Sequence, residues 1–161
     1  EVPFLRSKKL SNDKVGILPV VRDAVKKTNS SQKKANFFIY PTAILVKTND
    51  LKKSYKKFLK SKCNFLVAIK KTASHPLKCF EIKNNKYLKY KWPANKNKRG
   101  QDLKDYYNDA GSFFIFKTKN FLQFGFNEKN NSFYILDQFS CVDINNKDDF
   151  NLAKLFYKQK V

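Results

Sequence analysis

The chain has 161 residues, 42% of them apolar and 16% aromatic, which suits a single domain with a real core. Its 34 Lys and Arg against 13 Asp and Glu give a formal charge of +21, yet only Arg6, Arg22 and Arg99 are arginines. The lysines are spread along nearly the whole chain and read as a solvated coat, whereas a nucleic-acid site concentrates arginine and exposed aromatics on one surface. No apolar run approaches the roughly 20 residues a membrane span needs, and Glu1-Val2-Pro3-Phe4-Leu5-Arg6 has neither region of a secretory signal.

In chain order, Ile17, Val20, Val21, Ala24 and Val25 recur at helical spacing, with Pro19 tolerable in a first turn. Asn36 to Tyr40 is a compact apolar run stopped by Pro41 and predicts a buried strand. Leu51, Tyr55, Phe58 and Leu59 form one face of a helix that Thr48 or Asn49 would cap. Phe65 to Ile69 is the next buried strand, so residues 36 to 70 read as a parallel strand–helix–strand crossover.

Cys79 to Ile82 and Tyr87 to Tyr90 flank Lys83-Asn84-Asn85-Lys86, a hairpin with an asparagine turn. Trp92 to Gly100 is loop, Phe113 to Phe116 a strand, Asn120 to Phe124 a short helix and Phe139 to Ile144 a last strand. A helix from about Asp148 to Tyr157 carries acids in its first turn and lysines at its end, which suits its dipole. The expected architecture is α/β: a mostly parallel sheet with a small β excursion. Cys63, Cys79 and Cys141, odd in number and widely spaced, read as buried free thiols in a reducing cytoplasm.

An α/β sheet binds ligands at the carboxyl ends of its strands. Tyr40-Pro41-Thr42-Ala43, Lys71 to Lys78, Asp109 to Ser112 and Asp143-Ile144-Asn145 are assigned to such ends. The stretch from Arg99 to Phe114 gathers an arginine, Gln101 and several carboxylates before the small-residue turn Asp109-Ala110-Gly111. That combination suits a polar, partly anionic ligand, because arginine forks a carboxylate or phosphate and Ala-Gly admits close backbone approach. His75, the only histidine, stands before Pro76 and reads as a structural loop residue.

Five collinear segments resemble the cytidylyltransferases that activate nine-carbon acidic sugars, the pseudaminic and sialic acid synthetases. Glu1 to Arg6 with Leu10-Ser11-Asn12-Asp13 resembles their E-V-P-F-L-R-P-x-x-L-S-x-D, and Tyr40-Pro41-Thr42-Ala43 their Y-P-T-A-P. Ser74-His75-Pro76-Leu77-Lys78 is similar to the H-P-L-K of sialic acid synthetases, whereas Asp109-Ala110-Gly111 favours the pseudaminic branch. Arg99-Gly100-Gln101-Asp102-Leu103 resembles R-x-Q-D-L, and Asp143-Ile144-Asn145 with Asp149-Phe150 and Ala153 resembles D-I-D-T-x-x-D-W-x-x-A.

The resemblance implies a nucleotide-diphospho-sugar-transferase-like, Rossmann-like fold with helices on both faces of the sheet. It implies transfer of CMP from CTP to an acidic nonulosonate with release of pyrophosphate, by a homodimer formed through the excursion around Ile82 to Lys98. Asp143 would hold Mg²⁺ with Asn145, which replaces the family's second carboxylate. Arg99 and Gln101 would hold the sugar acid, with Lys78, Asp109 and Thr42 as further substrate contacts. The family's glycine- and basic-rich triphosphate loop, A-R-G-G-S-K-R, has no counterpart before Glu1, so the 161 residues are expected to be the C-terminal portion of one cytidylyltransferase domain and to turn over poorly alone. The rival readings are a sialic or legionaminic acid synthetase, a basic nucleic-acid-binding domain with steeply salt-dependent affinity, and an inactive remnant.

Overall fold

The computed structural model describes residues 2–28, 30, 34–126 and 129–159, so Glu1 of the first motif lies outside the described residues. Helix α1 spans Ile17–Lys27 with Pro19 in its first turn, where no intrahelical N–H is lost. Strand β1 is Ala35–Ile39, helix α2 Thr48–Ser61 and strand β2 Phe65–Lys71. Strands β3 (Phe80–Lys83) and β4 (Tyr87–Tyr90) form the separate hairpin, β5 runs Tyr107–Lys117, and helix α3 is Thr118–Phe124. Strand β6 is Asn131–Ile135 and helix α4 Lys147–Lys158.

The sheet order is β1-β5-β2-β6. Strand β5 pairs antiparallel with both β1 and β2, while β2 and β6 pair parallel. The expected mostly parallel sheet is therefore corrected to a mixed one in which most pairings are antiparallel. The crossover from β1 through α2 to β2 does join strands of the same direction, but β5 lies between them. Chain direction is invisible in hydrophobic patterning: a strand buried on both faces reads as the same apolar run either way.

The core follows the two-residue alternation of these strands. Leu66, Ala68, Phe113 and Ile115 face α2 and its buried Phe58. Phe65, Phe114 and Phe116 face the opposite way, onto Val21 and Val25 of α1 and Phe121 of α3. Helices thus cover both faces, as the resemblance implied. Ile115 is fully buried, and truncating it to alanine would cost about 2–5 kcal/mol.

Three local expectations need correction. The N-cap of α2 is Lys47, with no side-chain cap, and Thr48 already lies within the helix. Phe139 to Ile144 is not a strand: Gln138–Ser140 is a 3₁₀ turn capped by Asp137, whose carboxylate accepts from the Phe139 amide at 3.1 Å. Strand β6 takes the place beside β2, entered through Asn130 in a left-handed conformation. Cys63 and Cys141 are buried thiols, but Cys79 is exposed.

The hairpin does have its asparagine turn. Asn84 and Asn85 have φ of 50° and 53°, the left-handed pair that a two-residue hairpin turn requires. Among the described residues no helix is long and apolar enough to cross a membrane.

Candidate functional site

Strands β1, β2 and β6 share a direction, so their carboxyl ends at Ile39, Lys71 and Ile135 lie along one sheet edge. Strand β5 starts at that same edge, because Lys71 pairs with Tyr107 and Ile39 with Phe113. Asp109 to Ser112 reaches the site at the beginning of an antiparallel strand, not at a carboxyl end. The expected carboxyl-end position of this segment is therefore corrected: it lies near the amino end of β5, at the edge shared by the carboxyl ends of β1, β2 and β6.

Between Val67 and Ile69 of β2, the facing residue of β5 jumps from Phe114 to Asp109, so β5 bulges around Gly111. Gly111 has φ +60°, and the Asp109 carboxylate accepts a 2.8 Å hydrogen bond from its amide. A Cβ on Gly111 would lie 3.0 Å from Cγ of Asp143, and 3.1 and 3.3 Å from its two carboxylate oxygens. Glycine is thus required twice at this position, by backbone conformation and by the close approach of the Asp143 carboxylate.

Tyr40 completes this corner. Its amide donates to the Ser112 carbonyl at 2.9 Å, extending β1 by one residue. Burial pushes its phenol above the ordinary tyrosine range, and the charges of Asp109 and then Asp143 push it the same way. Thr42 follows in the turn that leaves the strand, where the Ala43 amide donates to the Tyr40 carbonyl at 3.0 Å. Asp109, Asp143 and the segment carrying Thr42 therefore meet at one corner of the sheet edge.

Helix α4 begins at this corner. The Asn146 side chain accepts from the amides of Asp148 and Asp149, and the Asp149 carboxylate accepts in return from the amides of Asn145 and Asn146. Asp148 and Asp149 are therefore first-turn helix acids. The Asn145 amide nitrogen lies 3.5 Å from the carbonyl oxygen of Asp143.

A cavity of about 390 Å³ opens beside Asp143, lined by Lys70, Asn108 and Val142 among others, and by Leu152 and Phe156 of α4. A second, of about 580 Å³, is lined by His75, Gln101, Asp105 and Tyr106. The two share Lys71 and Ala73, which makes them neighbouring parts of one cleft. The Lys71 ammonium binds Asp105 at 2.7 Å, and that hydrogen bond, then the carboxylate's charge, raises its pKa.

Of the residues expected at the site, Asp143 and Gln101 line the cleft, while Thr42, Lys78, Arg99, Asp109 and Asn145 are not among its lining residues. Arg99 forks Asp102 through Nε at 2.8 Å and Nη2 at 2.9 Å, on an exposed loop; this hydrogen bond raises the guanidinium pKa. Lys78 donates from Nζ to the Lys96 carbonyl at 3.0 Å and ties two loops together. His75 lines the second cavity and ties its loop: Nδ1 accepts from the Leu77 amide and Nε2 meets the Lys104 carbonyl at 3.1 Å.

Sequence reasoning reached Tyr40 and Lys71 only as members of segments at strand ends, and did not single out Lys70 or Asn108. The available signal was position alone: Tyr40 and Lys71 end neighbouring apolar runs, but two more lysines in so basic a chain carry no weight individually.

Comparison with known proteins bears directly on this corner. No family model matches the chain. The chain is 29% identical over 161 residues to the pseudaminic acid cytidylyltransferase of Campylobacter jejuni serotype O:23/36, covering 98% of the chain and 69% of the relative. Identity and coverage are the same with the enzyme of that name from C. jejuni serotype O:2. The chain is thus similar to these cytidylyltransferases over nearly its whole length. It is also 26% identical over 168 residues to the post-translational flagellin modification protein B of Campylobacter coli, which it covers to 69%. These alignments run through every segment described above, so the corner built by Tyr40, Asp109, Gly111 and Asp143 lies within the matched region.

Proposed function

We propose that this protein is a CMP-sugar synthetase that activates pseudaminic acid with CTP, giving the CMP-sugar and pyrophosphate. The observation that carries the reading is the meeting of Asp143 and the Asp109-Ala110-Gly111 bulge at the ligand-binding edge of the sheet. Similarity to enzymes named for this substrate over nearly the whole chain supports the choice of sugar.

In this chemistry the anomeric hydroxyl attacks the α-phosphorus of CTP in line: the sugar O–P bond forms as the bond to the departing pyrophosphate breaks. Positioning and charge stabilisation do most of the catalysis. Asp109 serves by shaping the bulge, since its carboxylate is held on the Gly111 amide beside Asp143. Gln101 contributes amide contacts to the sugar from the neighbouring part of the cleft. Arg99 answers the sugar carboxylate. Asp102 engages only its Nε–Nη2 edge, and Nη1 remains available as a donor toward a second carboxylate. Thr42 and Lys78 remain proposed substrate contacts, Lys78 after exchanging its present carbonyl partner.

Magnesium fits this donor set. Among the described residues no group of three or more His, Cys, Asp or Glu could hold a metal unaided, and Mg²⁺ usually needs only one or two carboxylates plus substrate phosphates and water. Asp143 offers the carboxylate, which the missing Cβ of Gly111 allows to lie against the bulge of β5. Asn145 offers an amide oxygen. When bound, the ion offsets negative charge on the reacting phosphates.

A homodimer through the hairpin fits the exposure of its apolar side chains, with Ile82 70% and Leu88 71% accessible. A cytoplasmic setting suits three free thiols and a CTP substrate. The test is formation of CMP-pseudaminic acid by the protein expressed from its full reading frame, followed by mass spectrometry. The reading expects product that depends on CTP, sugar and Mg²⁺ together; product with sialic acid alone would select the runner-up synthetase.

A further inference from the structure

Helix α4 puts a consistent face on the cleft. Asp149, Leu152 and Phe156 are three and four residues apart, so they share one side of the helix, and all three line the cavity beside Asp143. Ala153, fully buried, fixes the helix against the body of the domain. The capping box at Asn146 fixes where the helix begins. Phe139 stands edge-on to Phe156 with ring centroids 5.1 Å apart and continues the apolar wall. The same lining includes Lys70, Asn108 and Asp143, and Asp149 on the helix itself, so the space combines polar and charged groups with the apolar side chains of Leu152, Phe156 and Phe139.

A cavity of about 390 Å³ with that mixed lining suits the part of a sugar, away from its carboxylate, that carries hydroxyl and methyl groups together. We propose that Leu152 and Phe156 determine specificity by receiving the apolar substituents of the nonulosonate, its terminal methyl or an acyl methyl. This rests on the proposed cytidylyltransferase function and adds the chemical class of sugar it selects. Pseudaminic acid ends in a methyl group, whereas N-acetylneuraminic acid ends in a hydroxylated carbon. An apolar wall rejects a ligand that adds a hydroxyl only modestly, on the order of 100-fold. Phe156 is half-buried and Leu152 exposed, so a bound methyl group would cover surface that water now reaches.

The test is equilibrium binding of free pseudaminic acid and free N-acetylneuraminic acid, in Mg²⁺, to the protein expressed from its full reading frame, by calorimetry or saturation-transfer NMR. The unaltered protein should prefer pseudaminic acid. Leu152→Asn and Phe156→Ser should each reduce that preference about tenfold or more, chiefly through the pseudaminic acid constant. Phe156→Leu, which keeps the wall apolar, should retain most of the preference, with circular dichroism confirming α4 in every variant. A general loss of structure would weaken both sugars together, and equal losses for the two sugars would overturn the inference. An unchanged preference in both polar variants would overturn it as well. If the unaltered protein bound neither sugar, the functional reading itself would fall.

Discussion

Gly111 and Asp143 touch: the place where a Gly111 Cβ would sit is 3.0 Å from the Asp143 carboxyl carbon. Gly111→Ala therefore meets two penalties, a left-handed φ of +60° and a carboxylate that must move. The expected stability loss is about 1 kcal/mol or somewhat more, measured by urea denaturation. Turnover should fall further than that loss explains, because the displaced group is Asp143.

Arg99→Ala should act on sugar binding. The guanidinium would offer the sugar carboxylate a charge-assisted hydrogen bond, so the sugar KM should rise on the order of tenfold while the CTP KM moves little. Steady-state pyrophosphate release with each substrate varied in turn would check this. Equal changes in both constants would contradict a sugar-specific role.

Asn145→Asp would restore a second carboxylate close to Asp143. A hard cation gains a charged ligand, so activity should be equal or better and half-saturation should occur at lower Mg²⁺. A Mg²⁺ titration of initial rates gives the answer. A higher Mg²⁺ requirement would exclude Asn145 from the metal's surroundings.

Tyr134 links β6 to α2 through a 3.1 Å hydrogen bond from its hydroxyl to Asp50. Burial and then this bond raise its pKa above the ordinary 10.0. The unfolded tyrosine ionises first, so this contribution is whole below about pH 10 and is lost as pH rises through the folded pKa. Tyr134→Phe should cost about 0.5–1.5 kcal/mol near neutral pH and should lose less stability than the parent between about pH 8 and pH 11. Denaturant melts at both ends of that range test the sign.

The sequence made helices α1, α2 and α4 and the hairpin turn legible because each has a local cause. Ile17 to Val25 repeats at helical spacing, and Asn84-Asn85 suits left-handed conformations. The direction of β5 was not legible, since Phe113-Phe114-Ile115-Phe116 is apolar on both faces whichever way it runs. Strand β6 was missed because Phe139 to Ile144 offered a competing apolar run; tertiary packing of Ser140 and Cys141 uses that run as a buried turn instead. At the site, Asp109 and Asp143 were readable as carboxylates beside turns. Tyr40 and the apolar wall of α4 depend on contacts between distant segments and were not.

The most direct measurement is cytidylyl transfer by the protein from its full reading frame, with and without Asp143→Ala, across a Mg²⁺ titration. Asp143 is exposed, so the substitution should leave the fold intact. Turnover with CTP and pseudaminic acid should fall by about 100-fold or more at every Mg²⁺ concentration, the loss of a few kcal/mol of charge stabilisation. Full activity in Asp143→Ala would contradict the proposed site.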